Sequence, residues 1–333
     1  MCAHMAFVLV TGATGFVGSA LIPALLAAGH RVRATSRAEH AASKTSDLEW
    51  VRCDIHDAAD VDRALQGVDA AFFLVHGMGG AHDDYAAKEQ RSAKIFIDAA
   101  ARAGIERVIY LGGVAPAGEP SEHLRSRLMV GEILRTGTVR TLELRASMII
   151  GNGSASWQIV RDLVMRLPAM LLPSWTASRT SPIAIDDVVV ALVRGLSLPL
   201  PESAWYDIPG PSIWSGREIF LTLAAMQGRR VPSIGVPLLS VSLSSWWLKL
   251  ITRADFSLAR ELVLGFSQDL LPHDDRYWDE IDYRPKWTLE AAARRALDEE
   301  RTELSLRGIA GKLEESVVHA LSPKLGTRTP RKR

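Results

Sequence analysis

The sequence predicts an α/β chain: a doubly wound parallel sheet, covered by helices on both faces, followed by a smaller and irregular C-terminal lobe. Three observations carry this. Up to about Gly151, short apolar runs alternate with longer helix-patterned segments, as consecutive strand–helix–strand units require. Glycine stands at helix-stop positions, at Gly29, Gly67, Gly104 and Gly137. Beyond Gly151 the alternation gives way to recurrent proline, from Pro168 to Pro237, and to Trp residues concentrated between Trp157 and Trp287.

Taken in order, Phe7–Thr11 is a buried-strand run and Gly15–Ala28 an Ala/Leu-rich helix stopped by Gly29. Arg31–Ser36 and Trp50–Cys53 follow as strands, Ala59–Leu65 as a short helix ending at Gly67, and Ala70–Val75 as the fourth strand. Tyr85–Ala103 places Ala86, Ile95, Phe96 and Ala99 on one helical face and leads into the strand Arg107–Leu111. Ser121–Arg135 is a helix closed by Gly137, and Thr141–Leu144 opens a sixth strand. Ile183–Gly195 reads as a strand end and a helix capped by Asp186 or Asp187, returning to the sheet. Leu289–Leu306 is a charged, amphipathic surface helix. The expected organisation is a first domain over 1–150, rejoined by 180–197, then a second lobe over 151–321. A basic tail over 322–333, with five Lys/Arg and no acid, is expected to be disordered.

At 333 residues, 47% hydrophobic and 23% charged, the chain supports one large or two modest cores and excludes collagen-like or wholly disordered classes. A formal charge of +1 supplies no general field for nucleic acid or an anionic membrane. Cys2 and Cys53 are the only cysteines, so neither a disulfide framework nor a bound metal is expected. The apolar run Phe7–Val10 has no basic flank and enters a Gly-rich turn at once, which fits a strand and not a signal peptide. Leu163–Trp175 and Val236–Ile251 are interrupted by proline and fall short of the roughly 20 apolar residues of a spanning helix. Trp246-Trp247 accordingly reads as a pair of core or interface aromatics. The expectation is a cytoplasmic chain without stable membrane insertion or a nucleic-acid partner, acting on a small molecule, as a monomer or a homo-oligomer.

Thr11-Gly12-Ala13-Thr14-Gly15-Phe16-Val17-Gly18 directly follows the first strand and opens the first helix, where a Rossmann-type dinucleotide site requires it. Gly12 permits the tight turn, Gly15 lets the backbone approach a pyrophosphate, and Gly18 lets the helix pack close to the sheet. Thr14, Phe16 and Val17 complete the cradle, and the amides of the helix start attract the anion. The second strand ends Arg33-Ala34-Thr35-Ser36-Arg37, with no acid where an NAD-selective site places a carboxylate. Ser36 and Arg37 suit a 2′-phosphate instead, so NADP(H) is the preferred cofactor and NAD(H) the alternative; the plain alternative for Arg37 is a solvated loop side chain. Asp54 suits the adenine amine, and is equally an ordinary turn residue.

These features resemble the short-chain dehydrogenase/reductase superfamily, in particular its extended and atypical branches with their Gly-x-x-Gly-x-x-Gly spacing. Leu74-Val75-His76-Gly77-Met78, Tyr110-Leu111-Gly112-Gly113, His123-Leu124-Arg125-Ser126-Arg127 and Pro182-Ile183-Ala184-Ile185-Asp186-Asp187-Val188 are similar to an atypical bacterial NAD(P)-binding subgroup. The resemblance implies a Ser or Thr after the fifth strand and a Tyr-x-x-x-Lys on the next helix. The Tyr passes a proton to the substrate oxygen, while the Lys lowers its pKa and holds the nicotinamide ribose. Aligned on Ser126, however, His123 stands in the place of Tyr, Arg127 in the place of Lys, and Gly112-Gly113 in the place of the hydroxyl residue.

Arg127 keeps the charge that holds the ribose but does not donate a proton at neutral pH. His123 and His76 are therefore the candidate acids. His76 and Val75, at the end of the fourth strand, are also expected to contact the cofactor. Ser147 and Met148 stand where the family's backbone meets the nicotinamide amide. Arg145 and Asp187 resemble a structural pair that ties the sixth strand to the second lobe, and Tyr85 and Tyr110 read as aromatics packed on the sheet. The resulting expectation is an NADPH-dependent reductase acting on a C=O or activated C=C of a small apolar metabolite. The missing Tyr and Lys leave two alternatives: a non-catalytic NADPH-binding sensor or structural subunit, and a sugar-nucleotide epimerase- or dehydratase-like enzyme.

Overall fold

Seven parallel strands form the central sheet of the computed structural model, which describes residues 5–38, 46–75, 85–166, 170–229, 233–236 and 268–302. The first half runs β1 (Phe7–Val10), α1 (Phe16–Ala27), β2 (Arg31–Ser36), β3 (Leu48–Arg52), α2 (Ala58–Leu65), β4 (Ala70–Phe73), α3 (Tyr85–Arg102), β5 (Arg107–Gly113), α4 (Glu122–Thr136) and β6 (Arg140–Ala146). The second half continues with β7 (Ile149–Ile150), α5 (Ala155–Arg166), β8 (Met170–Pro173), β9 (Arg179–Thr180), β10 (Ile183–Ala184), α6 (Ile185–Gly195) and β11 (Ala204–Asp207). It ends with β12 (Trp214–Ser215), α7 (Gly216–Met226), β13 (Ser233–Val236), α8 (Arg276–Glu280) and α9 (Leu289–Thr302).

The strand order is β11-β6-β5-β4-β1-β2-β3, so the chain winds outward in both directions from β1. Leu9 of β1 is level with Arg33 of β2 on one side and Ala71 of β4 on the other. The crevice beyond the carboxyl ends of β1 and β4 is thus the topological switch point where such sheets bind ligands.

Strand alternation sorts the core onto two faces. Val8, Val10, Phe72, Ile109, Leu142 and Leu144 pack under α1 and α6 with Leu21, Leu25, Val188 and Leu192. Leu9, Ala71, Phe73, Val108 and Tyr110 pack on the other face with Leu65, Phe96, Ile97 and Leu134 from α2, α3 and α4. A third cluster, built from Trp157, Val160, Phe220, Leu223, Ala293 and Leu297, fills the irregular half.

Two features depart from the expected pattern. The seventh strand, β11, comes from a proline-flanked stretch with no strand signature, yet pairs in parallel with β6 over four residues. The N-cap of α6 is Ala184, and Asp186 and Asp187 lie inside its first turn instead of capping it. Asp186 pairs with Arg295 of α9. Asp187 is fully buried and accepts the Tyr283 hydroxyl at 2.6 Å and the Lys286 and Trp287 amides at 3.2 and 3.3 Å. Arg145 and Asp187 do not pair with each other: Arg145 bonds Glu143 and lies over the Trp205 ring. Cys2, His76, the Trp246-Trp247 pair, residues 303–306 and the basic tail lie outside the described residues.

Candidate cofactor and active site

The glycine turn occupies the switch point. Gly12 has φ +64°, and a Cβ there would stand 2.7 Å from the Leu74 carbonyl just beyond β4, so a side chain is excluded by both conformation and space. A Cβ at Gly18 would likewise collide with the Gly12 carbonyl. Gly15 is the N-cap of α1 and brings no side chain to its first amides, which leaves them to an anionic group. Thr14 is exposed, while Phe16 and Val17 are half-buried. A cradle that backbone and glycine alone can line fits a pyrophosphate.

At the far end of this crevice, Arg37 is exposed, and among the described residues nothing pairs with its guanidinium. Arg52, which the sequence reading passed over, ends β3 level with Ser36 and donates Nε to the Arg37 carbonyl at 3.3 Å. Two cations therefore flank the end of β2. The parallel register of β2 and β3 is the signal that would have found the second. Ser36 Oγ accepts the Ala38 amide at 3.1 Å, and Asp54 Oδ1 accepts the His56 amide at 3.0 Å, so both side chains also shape their own turns.

The residues expected at the nicotinamide lie toward β4, β5 and β6. Val75 is half-buried there, and His76 lies outside the described residues. Ser147 Oγ donates to the Ser181 carbonyl at 2.8 Å, and the Met148 side chain is buried in the third core cluster, which leaves their backbone as the surface that a ligand can meet. Arg127 reaches from α4 to the end of β5, where Nη2 donates to the Leu111 carbonyl at 2.7 Å. Tyr110 is a core aromatic: burial pushes its phenol up, and its hydroxyl donates to the Arg127 carbonyl at 3.1 Å.

The largest revision concerns Tyr85. It does not simply pack on the sheet: its ring lies nearly parallel to that of His123, at 18° and with centroids 6.4 Å apart, and its hydroxyl is 3.4 Å from His123 Nδ1. One turn further along both helices, Ser126 Oγ donates to Glu89 Oε2 at 2.6 Å. Tyr85 is the first residue of α3 and His123 the second of α4. Because each helix follows a strand of a parallel sheet, both helix starts lie at the sheet's carboxyl edge, the side that carries the glycine turn.

Gly112 and Gly113, expected to stand where a hydroxyl residue would be, have a packing reason. A Cβ on Gly112 would lie 2.8 Å from the Glu143 carboxylate and one on Gly113 2.7 Å from the Leu124 side chain, while a Cβ on Gly131 of α4 would come within 2.5 Å of Glu143. Glu143, in the middle of β6, is fully buried between Arg135 at 2.7 Å and Arg145 at 2.9 Å. The close approach of α4 to β5 thus rests on missing side chains and a buried carboxylate.

Comparison with known proteins agrees with this geometry. Residues 12–163 match the model of the NAD(P)H-binding family. A 115-residue stretch is 37% identical to the 3 beta-hydroxysteroid dehydrogenase/Delta 5-->4-isomerase of Mycobacterium tuberculosis (strain ATCC 25618 / H37Rv), and covers 31% of this chain and 30% of that protein. A longer match, 27% identical over 266 residues, covers 76% of this chain but 27% of an uncharacterized protein from the same organism. The chain therefore spans about a third or less of the length of these relatives. Among solved structures, MoeE5 in complex with UDP-glucuronic acid and NAD superposes with a TM-score of 0.68 at 18% identity, over 89% of this chain and 99% of that one. The chain is thus similar to NAD(P)H-binding proteins over residues 12–163, and it shares the fold of MoeE5.

Proposed function

We propose that this chain is an NADPH-dependent reductase of a C=O or activated C=C in a small, largely apolar molecule. The observation that carries the proposal is the placement of the Tyr85–His123 pair on the same sheet edge as the glycine turn. Proton-bearing groups and a dinucleotide cradle on one edge are what reduction needs, because a carbonyl receives a hydride at carbon and a proton at oxygen. In this reading Gly12, Gly15 and Gly18 hold the pyrophosphate, Arg37 and Arg52 the 2′-phosphate, and Arg127 the nicotinamide ribose. Bound NADPH supplies the hydride. His123 presents a proton to the substrate oxygen, and the protein around the crevice excludes water from the reacting atoms.

A second reading has its own support. The absence of Tyr-x-x-x-Lys, and the filling of the hydroxyl position by Gly112-Gly113, favour a protein that binds NADPH without turning it over. The 3 beta-hydroxysteroid relative and the sugar-nucleotide ligand of MoeE5 illustrate the substrate sizes that related folds accept, and the His123 arrangement differs from a Tyr-based site.

Thermal unfolding with and without cofactor tests the assignment. NADPH at about 100 times its Kd should stabilise the chain by about 2.7 kcal/mol. Arg37→Glu should weaken NADPH more than NADH, since it places a carboxylate against the 2′-phosphate. Absence of a shift with either dinucleotide overturns the cofactor assignment, and equal losses for both remove Arg37 from 2′-phosphate recognition. Tight NADPH binding with no loss of nicotinamide absorbance across ketones, quinones and enones favours the sensor.

A further inference from the structure

Resting on the dinucleotide site of the reductase reading, we propose that His56 and Ser92 set which base that site accepts. The pair fastens the turn that carries Asp54 to α3, and so holds one Asp54 oxygen ready for the exocyclic amine of an adenine. Asp54 is the residue that touches the base, and His56 and Ser92 are positioning residues behind it.

The turn is first shaped from within. Just beyond β3, the Asp54 carbonyl accepts the Asp57 amide at 3.0 Å, and Asp54 Oδ1 accepts the His56 amide at 3.0 Å. The Asp54 amide in turn donates to Asp60 Oδ2 at 3.0 Å. An Asx-turn of this kind commits one carboxylate oxygen and leaves the other, Oδ2, to a donor from outside. Asp54 is exposed, and it follows a strand of the parallel sheet on the same edge as the glycine turn, where a ligand can reach it.

The tie to α3 keeps the turn from moving. Ser92 is only 3% exposed within α3, and its Oγ lies 2.6 Å from His56 Nδ1 and 2.8 Å from the Lys88 carbonyl. A hydroxyl has one proton. Given to the Lys88 carbonyl, in the backward bond open to a mid-helix serine, it leaves Ser92 Oγ to accept, and His56 donates from Nδ1. Both contacts are then hydrogen bonds, whereas with the imidazole proton on Nε2 only one of them is. The outcome is an unbroken path from α3 through the His56 ring and amide to Asp54 Oδ1. A carboxylate oxygen held in this way only accepts. It pairs with the amine of adenine and repels the oxo group that hypoxanthine carries in the same place.

The full chain is titrated with NADPH and with its deaminated analogue, nicotinamide hypoxanthine dinucleotide phosphate. Wild type should bind NADPH about 10-fold or more tightly than the analogue, the range for a hydrogen bond to a charged group. Ser92→Ala and His56→Leu should each shrink that preference by about threefold or more, the size of one lost neutral hydrogen bond. The ratio of NADPH to NADH affinity should not change, since the 2′-phosphate is read elsewhere. His56→Asn, whose side-chain amide stands in for Nδ1–H, should keep the preference. In the chain labelled with 15N-histidine, two-bond proton–nitrogen spectra should show His56 with its proton on Nδ1, its signals identified by their loss in His56→Asn. A merely structural pair would weaken every dinucleotide alike, so an unchanged preference in Ser92→Ala and His56→Leu overturns the proposal. So does a wild type that binds both bases equally, or a His56 protonated on Nε2. Failure of NADPH to bind instead overturns the reductase reading, and the spectra, which need no cofactor, separate that result from failure of the pair.

Discussion

At the residue scale, the chain ties a titratable group to the first strand. His30 is only 7% exposed, follows the Gly29 helix stop, and accepts the Ala6 amide on Nδ1 at 3.2 Å. Burial holds the imidazole below its ordinary value. The unfolded chain therefore takes up that proton at a higher pH than the folded chain does. His30 contributes stability that is fully present above its unfolded pKa of about 6.5 and is lost as pH falls through that value towards the folded one. His30→Gln keeps an acceptor and removes the titration. Urea melts should then show a shallower loss of stability between about pH 7.5 and pH 5 than in wild type; an unchanged slope would assign the pH dependence to other groups. The same scale shows where residue-by-residue reading of a sequence ends. His123 is legible because it aligns with a known position, but its partner Tyr85 is 38 residues away and is brought to it only by the packing of α3 on α4. Arg52 is silent for a related reason: nothing local marks it, and only the β2–β3 register places it beside Arg37.

At the element scale, β6 and α4 carry the least expected arrangement. A strand in the middle of a two-sided core should be apolar throughout, whereas in Thr141–Leu144 the apolar Leu142 and Leu144 alternate with Thr141 and Glu143. The apolar pattern announces the strand and gives no reason for the carboxylate, whose partners Arg135 and Arg145 lie on a helix and two residues along the same strand. The glycines of the fifth strand and of α4 are legible as glycines, but their purpose depends on Glu143 occupying the space beside them. Removing the carboxylate should cost about 3–5 kcal/mol, because Arg135 and Arg145 would lose their shared partner next to the core. Gly131→Ala should cost about 1–3 kcal/mol, since its methyl would overlap that carboxylate. The decisive measurement is the cycle that combines the two. With Glu143→Ala already present, the methyl has room, so Gly131→Ala should cost clearly less than it does in wild type. Additive losses would mean that the strain at Gly131 arises elsewhere in α4.

At the scale of the whole molecule, alternation along the first half prescribes a parallel sheet, and the glycine turn prescribes which strand end faces the ligand. Both were readable because each rests on local pattern. The second half was not, because its organisation depends on where it docks: β11 becomes a strand by pairing with β6, and the segment after α8 is placed by contacts from α6. Asp187 concentrates those contacts, with the Tyr283 hydroxyl and the Lys286 and Trp287 amides converging on one fully buried carboxylate. Burial, first, and the adjacent Asp187 push the Tyr283 phenol up, so it remains a donor throughout the neutral range. Hydrogen bonds to a charged acceptor contribute about 1.5–3 kcal/mol each, without being additive when they share it. Asp187→Ala should therefore destabilise the chain by about 3 kcal/mol or more, and Tyr283→Phe, which removes one bond of the three, by about 1–2 kcal/mol. Native-state hydrogen exchange separates an anchoring role from a general loss of stability. In Asp187→Ala the Lys286 and Trp287 amides should exchange through local opening, losing more protection than the amides of β4 and β5, which fall only with global stability. If those two amides keep pace with the sheet, the carboxylate is not what holds them. The ring cluster of the buried Tyr277 and Trp278 and the half-buried Tyr283, with centroids 5.7 Å apart at each step, would then be the anchor of this segment.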